Sequence, residues 1–216
     1  MDSAYSSASD EAKLMERLIK GFKIRTALNH RLAELYHENE GRNLLEGLLL
    51  GEAEVKPHEE ERYVKTKAEI QELEDRLRDE VRQHSVWKAV FASLPGFPLI
   101  NAVGIIVTIR DINRFESLAA LRVRAGVYRA ISQCHPQLRG SLYFGAGQLI
   151  ELNPEWKARY KARKAHVLPK VTEKAASRTP PLTERNIETM VDHMALWWVM
   201  GKIVKHIWET WPRQVM

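Results

Sequence analysis

The residues best suited to chemistry in this chain are cations. Residues 110–170 hold 12 Lys and Arg against 4 Asp and Glu, a net of +8, whereas residues 1–109 hold 15 against 19 and the remaining 46 carry +1. Arg110, Arg114, Arg122, Arg124, Arg129 and Arg139, followed by Lys157, Arg159, Lys161, Arg163 and Lys164, form a block suited to neutralising phosphates. On duplex DNA each phosphate so neutralised steepens the salt dependence of binding by about 0.9 in log–log slope. The same block also fits a solvated helix face. What favours a polyanion is the segment just before it, Leu94-Pro-Gly-Phe-Pro-Leu-Ile-Asn-Ala-Val-Gly104. It predicts a tight hairpin turning at Gly96, with Pro98 in the first helical position. The next amides, those of Leu99, Ile100 and Asn101, would then point out of a positive helix terminus, which suits a phosphate. A purely structural hairpin is the other reading.

Other chemistry finds less material. Among eight histidines, His30 and His37 stand seven apart without a Cys or Asp ligand set, and His84 occupies a heptad core position, so neither a metal nor a cofactor is expected. Cys134 and His135 are adjacent, and adjacent side chains diverge, which makes a loop thiol a better reading than a catalytic pair. A single cysteine excludes an internal disulfide. Of six tryptophans, Trp197, Trp198, Trp208 and Trp211 follow a helical core stripe, and only Trp156, beside Lys157 and Arg159, is a candidate for stacking on bases.

The elements that must position these residues all have helical signatures. Leu14, Leu18, Phe22, Leu28, Leu32 and Leu35 make an amphipathic helix of Glu11 to Glu38. Residues 39–58 are a glycine-punctuated hinge, and Glu59 to Phe91 resumes with heptad-like spacing. The two helices form an antiparallel hairpin or a coiled-coil arm, which also offers a surface for a homo-oligomer. Ile105 to Ile109 has β propensity but continues the helix begun at Pro98. Residues 127–136 suggest a loop or short irregular helix, 137–150 a helix rich in small residues, and Asn153-Pro154 the start of the most basic helix. Residues 170–182 suggest an exposed loop, and Thr183 caps a final helix with a wide apolar stripe. The class is all-α, with a disordered polar tail at 1–10, an arm at 11–91 and a helix-hairpin-helix domain at 92–216. The tail lacks the marks of a signal peptide and no apolar run suits a membrane, so a cytoplasmic, nucleoid-associated protein is expected.

From the hairpin onward, Asp111-Ile-Asn-Arg-Phe115, Leu121 and Ala125-Gly126 follow in order. This succession resembles the C-terminal domain of the DEDD insertion-sequence transposases, recombinases guided by a bridge RNA. That family shows a Pro-Gly hairpin, an Ile-Gly-Asp-Ile-Arg-Arg-Phe-like segment and an Ala-Gly-Leu-like end. Arg139-Gly140, Asn153-Pro154 with Trp156 and Tyr160, and Gly201-Lys202-Ile203 extend the likeness. The resemblance implies DNA transposition and recombination, with duplex DNA or a guide-RNA/DNA hybrid held by the hairpin amides and the arginines. It also implies Ser132 as the nucleophile, although the glycine usual beside that serine is missing; Ser141 would fall beyond the Arg-Gly step. The family's RuvC-like domain, with four metal-binding carboxylates, has no counterpart in residues 1–93. The chain is therefore expected to be incomplete as an enzyme, to carry no metal, and to act with a RuvC-like partner subunit. The rival is a stand-alone helix-hairpin-helix nucleic-acid-binding or scaffold subunit of a larger complex. An all-α interaction protein without nucleic acid is a third reading.

Overall fold

A computed structural model describes residues 2–37, 57–127, 133–177 and 182–212. Arg129, Ser132 and most of the expected 39–58 hinge lie outside the described residues. Every regular element among those described is helical, so the fold class is all-α. The chain divides into two compact units, residues 1–82 and 83–216.

The first unit contains α1, Asp2–His37, and α2, Pro57–Gln83. The tail expected at 1–10 is thus, from Asp2 on, the opening of α1. The two helices are antiparallel: Arg17 Nε meets Glu80 Oε1 at 3.3 Å, a Cβ on Gly21 would lie 2.7 Å from Leu77 Cδ2, and Arg25 Nε meets Glu74 Oε1 at 2.5 Å. As α1 advances, its partners on α2 fall back. Along the two helices Leu14, Leu18 and Phe22 of α1 and Ile70, Leu73, Leu77 and Val81 of α2 are buried. Each such side chain removed from water contributes about 1.5–3 kcal/mol. The absence of a side chain at Gly21 lets the helices close where Leu77 crosses.

The second unit begins earlier than the expected boundary at 91. Beyond Gln83 the chain bends at His84 and makes a π-helical turn, Trp87–Phe91, that packs on the last helix. His206 Nε2 lies 3.0 Å from both Ser93 Oγ and Val90 O, holding this turn in the second unit. Then follow α3, Leu99–Ile109; a 3-10 turn, Ile112–Arg114; α4, Leu118–Arg124; α5, Pro136–Leu152; α6, Pro154–Ala176; and α7, Glu184–Thr210.

The caps are the ones the sequence spells out. Asn153 Oδ1 accepts from the amides of Glu155 and Trp156, and Thr183 Oγ1 accepts from that of Asn186. α7 is the central element, packed on α4, α5 and α6, and its Val199, Met200, Ile203 and Val204 are 0–1% exposed. The loop expected at 170–182 is corrected, because α6 runs on to Ala176 with Pro169 inside it. A helix passes through proline, at the loss of one amide, where packing compensates. Here Val167, Val171 and Ala175 are buried, and the first two share a cluster with Val191 of α7.

Candidate nucleic-acid interface

The Pro-Gly segment makes a four-residue turn in which Leu94 O accepts from Phe97 N–H at 3.0 Å. Pro95 and Gly96 are its central residues, and Gly96 has φ +93°, a backbone that side-chain-bearing residues rarely adopt. Pro98 is the N-cap of α3, which begins at Leu99, one residue later than expected, and Ala102 N–H donates to Pro98 O at 3.0 Å. The amides of Leu99, Ile100 and Asn101 therefore remain without an acceptor among the described residues.

The turn is also a packing device. A Cβ on Gly96 would lie 3.1 Å from Leu152 Cβ, and Asn153 Nδ2 donates to Pro95 O at 2.9 Å. Phe97 covers Gly145, where a Cβ would sit 2.4 Å from Phe97 Cζ, and Asn101 Nδ2 donates to Ser141 O at 3.2 Å. Progress from 96 to 101 thus runs against 152 to 141, and α3 and α5 are antiparallel. Ser141 itself is 7% exposed, which disqualifies its hydroxyl as an accessible nucleophile.

That direction sets where the cations go. α3 spans about 16 Å at 1.5 Å per residue, so Arg110 lies a helix length away from the amides of 99–101. It lies instead at the end where α5 starts. Arg110 sits at φ +59°, ψ −59°, with Asp111 N–H donating to Ile109 O at 2.7 Å. This is a γ-turn of the rare positive-φ kind, a strained conformation for a residue with a side chain. Asp111 Oδ1 then accepts from Asn113 N–H at 2.9 Å, and Arg114 Nη1 donates to Ile109 O at 3.3 Å over the helix end.

At this same end Arg124 O accepts from His135 N–H at 2.8 Å, and Gly126, at φ +68°, leaves room for Cys134 and Arg139. Burial, with the nearby charge of Arg124, lowers the pKa of His135, and its Nδ1 is buried without a partner among the described residues. Arg110, Arg114, Arg122, Arg124 and Arg139 thus converge on one end of the α3–α5 pair, and none has a carboxylate partner among the described residues.

α6 is the second basic element, with seven Lys or Arg against two Glu. Its cations have different fates. Arg159 pairs with Glu155 at 2.5 Å and lies over the Trp156 ring, 5.2 Å from its centroid. Trp156 is only 7% exposed, so it is a core residue beneath an arginine and not a surface for bases. Arg163 lies over Trp198 at 5.9 Å, and Lys202 reaches the same ring at 5.1 Å. Lys164 pairs with Asp192 and lies 5.7 Å from the Tyr160 ring. Lys157 and Lys161 are exposed, with no ion-pair partner among the described residues.

Tyr160 and Asp192 were not among the expected site residues. Tyr160 Oη donates to Asp192 Oδ1 at 2.9 Å. Burial, then this bond, pushes the phenol up to about 12. Burial alone would raise Asp192, but the hydrogen bonds from Lys164 and Tyr160 and the charges of Lys164 and His193 hold its carboxyl below the ordinary range. In the sequence Tyr160 stands only as part of a motif, and nothing there signals its pairing with Asp192, which joins helices 32 positions apart.

Against protein-family models, curated proteins and solved structures, the chain matches none.

Proposed function

We propose that the second unit is a DNA-binding module of an insertion-sequence transposase or recombinase, acting in DNA transposition with strand cleavage supplied by a partner. The observation that carries the binding half of this reading is the group Arg110, Arg114, Arg122, Arg124 and Arg139, five arginines at one end of α3 and α5 that form no ion pair among the described residues, with Asp111 and Glu116 the acids of the same stretch. Surface cations in a folded protein are ordinarily matched by acids; an end where arginines outnumber acids attracts a polyanion. Arginine suits the role because its planar fork grips phosphate oxygens in pairs. The open amides of Leu99 to Asn101, a helix length away, add a separate phosphate contact point. The transposase half rests on the order of motifs from the hairpin to Gly201-Lys202-Ile203. The stand-alone binding subunit is the second reading, favoured by the burial of Ser141, which leaves Ser132 as the sole candidate nucleophile.

The test is binding of a labelled DNA duplex across a salt series. The chain should bind at low salt, and Arg122→Ala with Arg124→Ala should weaken binding and flatten the log–log slope by about two. No binding at low salt overturns both nucleic-acid readings. Trapping of a covalent phosphoserine adduct that Ser132→Ala abolishes selects the recombinase over the plain binder.

A further inference from the structure

α5 separates its residues by face. Leu138, Leu142, Gly145, Ala146 and Leu149 are buried. Gly140, Tyr143, Phe144 and Gly147 occupy the opposite side at the i, i+3, i+4, i+7 spacing of one helical face. Phe144 is 67% exposed and Tyr143 37%, and their rings meet edge to face with centroids 5.6 Å apart. A Cβ added to Gly140 or Gly147 would meet nothing within 4 Å, so the rings are flanked by open space at both glycines. A lone exposed apolar residue needs no explanation, but a paired aromatic ledge between two glycines does.

Its neighbours say what it suits. α5 and α6 pack against each other, and Lys164 lies against the Tyr160 ring on α6. Lys157 and Lys161 share a helical face with Lys164, at i, i+4 and i+7, and both are exposed. The aromatic ledge on α5 is therefore bordered by the lysine face of α6, while Glu151 is the one acid on its own face of α5. Apolar rings beside a row of cations match the two parts of a nucleotide chain, flat bases and charged phosphates. A second protein helix would satisfy the rings but leave the lysines unused.

From this juxtaposition we propose that Tyr143 and Phe144 form a stacking platform for unpaired bases of single-stranded nucleic acid, whose phosphates run along Lys157 and Lys161. The platform deepens the nucleic-acid reading above and rests on it. It adds a site for an unwound strand distinct from the arginine end, the two being at different points along α5.

The experiment measures the affinity of the full chain for a labelled oligothymidylate and for a duplex of equal length. Phe144→Ala should weaken the oligothymidylate complex about tenfold and leave the duplex within twofold, while Phe144→Tyr, which keeps the ring, should bind as wild type. Lys157→Ala with Lys161→Ala should weaken the oligothymidylate complex and flatten its salt slope by about 1.4. An unchanged oligothymidylate affinity in Phe144→Ala, or an equal loss on duplex, overturns the platform. So does a change in solution mass on that substitution, which would make the ledge a contact between copies of the chain. Duplex binding by wild type without oligothymidylate binding removes the platform alone; binding of neither removes the nucleic-acid reading itself.

Discussion

The two units use arginine in opposite ways. In the first, four arginines are paired internally: Arg25 and Arg78 both donate to Glu74, Arg17 reaches Glu80, and Arg82 pairs with Asp79. The acidic excess of the arm is thereby the counterpart of its own cations, and its long helices are zipped by charge along the rim of a leucine seam. In the second unit the arginines at the end of α3 and α5 form no ion pair among the described residues, and those of α6 lie over Trp156 and Trp198, Arg159 also pairing with Glu155. The residue type is the same; what differs is whether a carboxylate stands within reach. Count alone would not distinguish a structural arginine from a binding one, whereas partner identity does.

Substitutions that separate the two uses break or sharpen this contrast. The largest effect is expected from Leu77→Ala in the arm. Leu77 is 1% exposed against Gly21, so its loss should cost about 3 kcal/mol in denaturant unfolding while duplex affinity stays within twofold. A matching fall in affinity would make the arm part of the binding surface and end the division of labour. Next is Arg110→Gly. Glycine accepts φ +59° freely, so this change should raise stability by about 1 kcal/mol and weaken duplex binding at the same time. Opposite signs in the two measurements are the mark of strain retained for function; a stabilised protein with full affinity would remove Arg110 from the interface. Smaller still is Arg25→Ala. Its pair with Glu74 is partly exposed, at 25% and 14%, so solvent screening leaves about 1 kcal/mol to lose, with no change in the salt slope of DNA binding.

The contrast was legible in the sequence only in part. Local chemistry read well: Pro95-Gly96 marks a turn, Asn153 and Thr183 mark helix starts, and the break at Pro95 is where the chain reverses. These signals act over a few residues, through backbone geometry and the nearest side-chain-to-backbone hydrogen bonds. What failed depended on partners far along the chain. Pro169 looked like the edge of a loop, but Val171 and Ala175 are held by burial in the α6–α7 contact. Trp156 looked exposed because lysine and arginine flank it, yet Arg159 folds over its ring; Trp197, expected in the core stripe, is 39% exposed. Tyr143 and Phe144 passed for part of a small-residue helix, since nothing local says which face of α5 stays uncovered. The hairpin amides and the arginine block looked like one site because they adjoin in sequence, and α3 separates them by its own length.

The smallest expected effect probes the arginine end through a neighbour that is not itself a phosphate ligand. His135 is held neutral by burial and by the Arg124 charge, so its folded pKa lies below the unfolded value of about 6.5. A depressed folded pKa means that the unfolded chain binds the proton more readily. The contribution of His135 to stability is therefore complete above about pH 6.5 and declines as the pH falls toward the folded value. In Arg124→Lys the charge remains and the histidine should titrate as in wild type; in Arg124→Gln it should titrate higher, read from the imidazole proton shifts in NMR. Bound polyanion should move it the same way, because a phosphate beside Arg124 cancels the charge that disfavours imidazolium. A His135 pKa that rises on adding duplex DNA to wild type, and not to the Arg122→Ala, Arg124→Ala double variant, would locate phosphate at the end of α5. A pKa indifferent to DNA would leave those arginines as solvated surface and erase the difference between the two units.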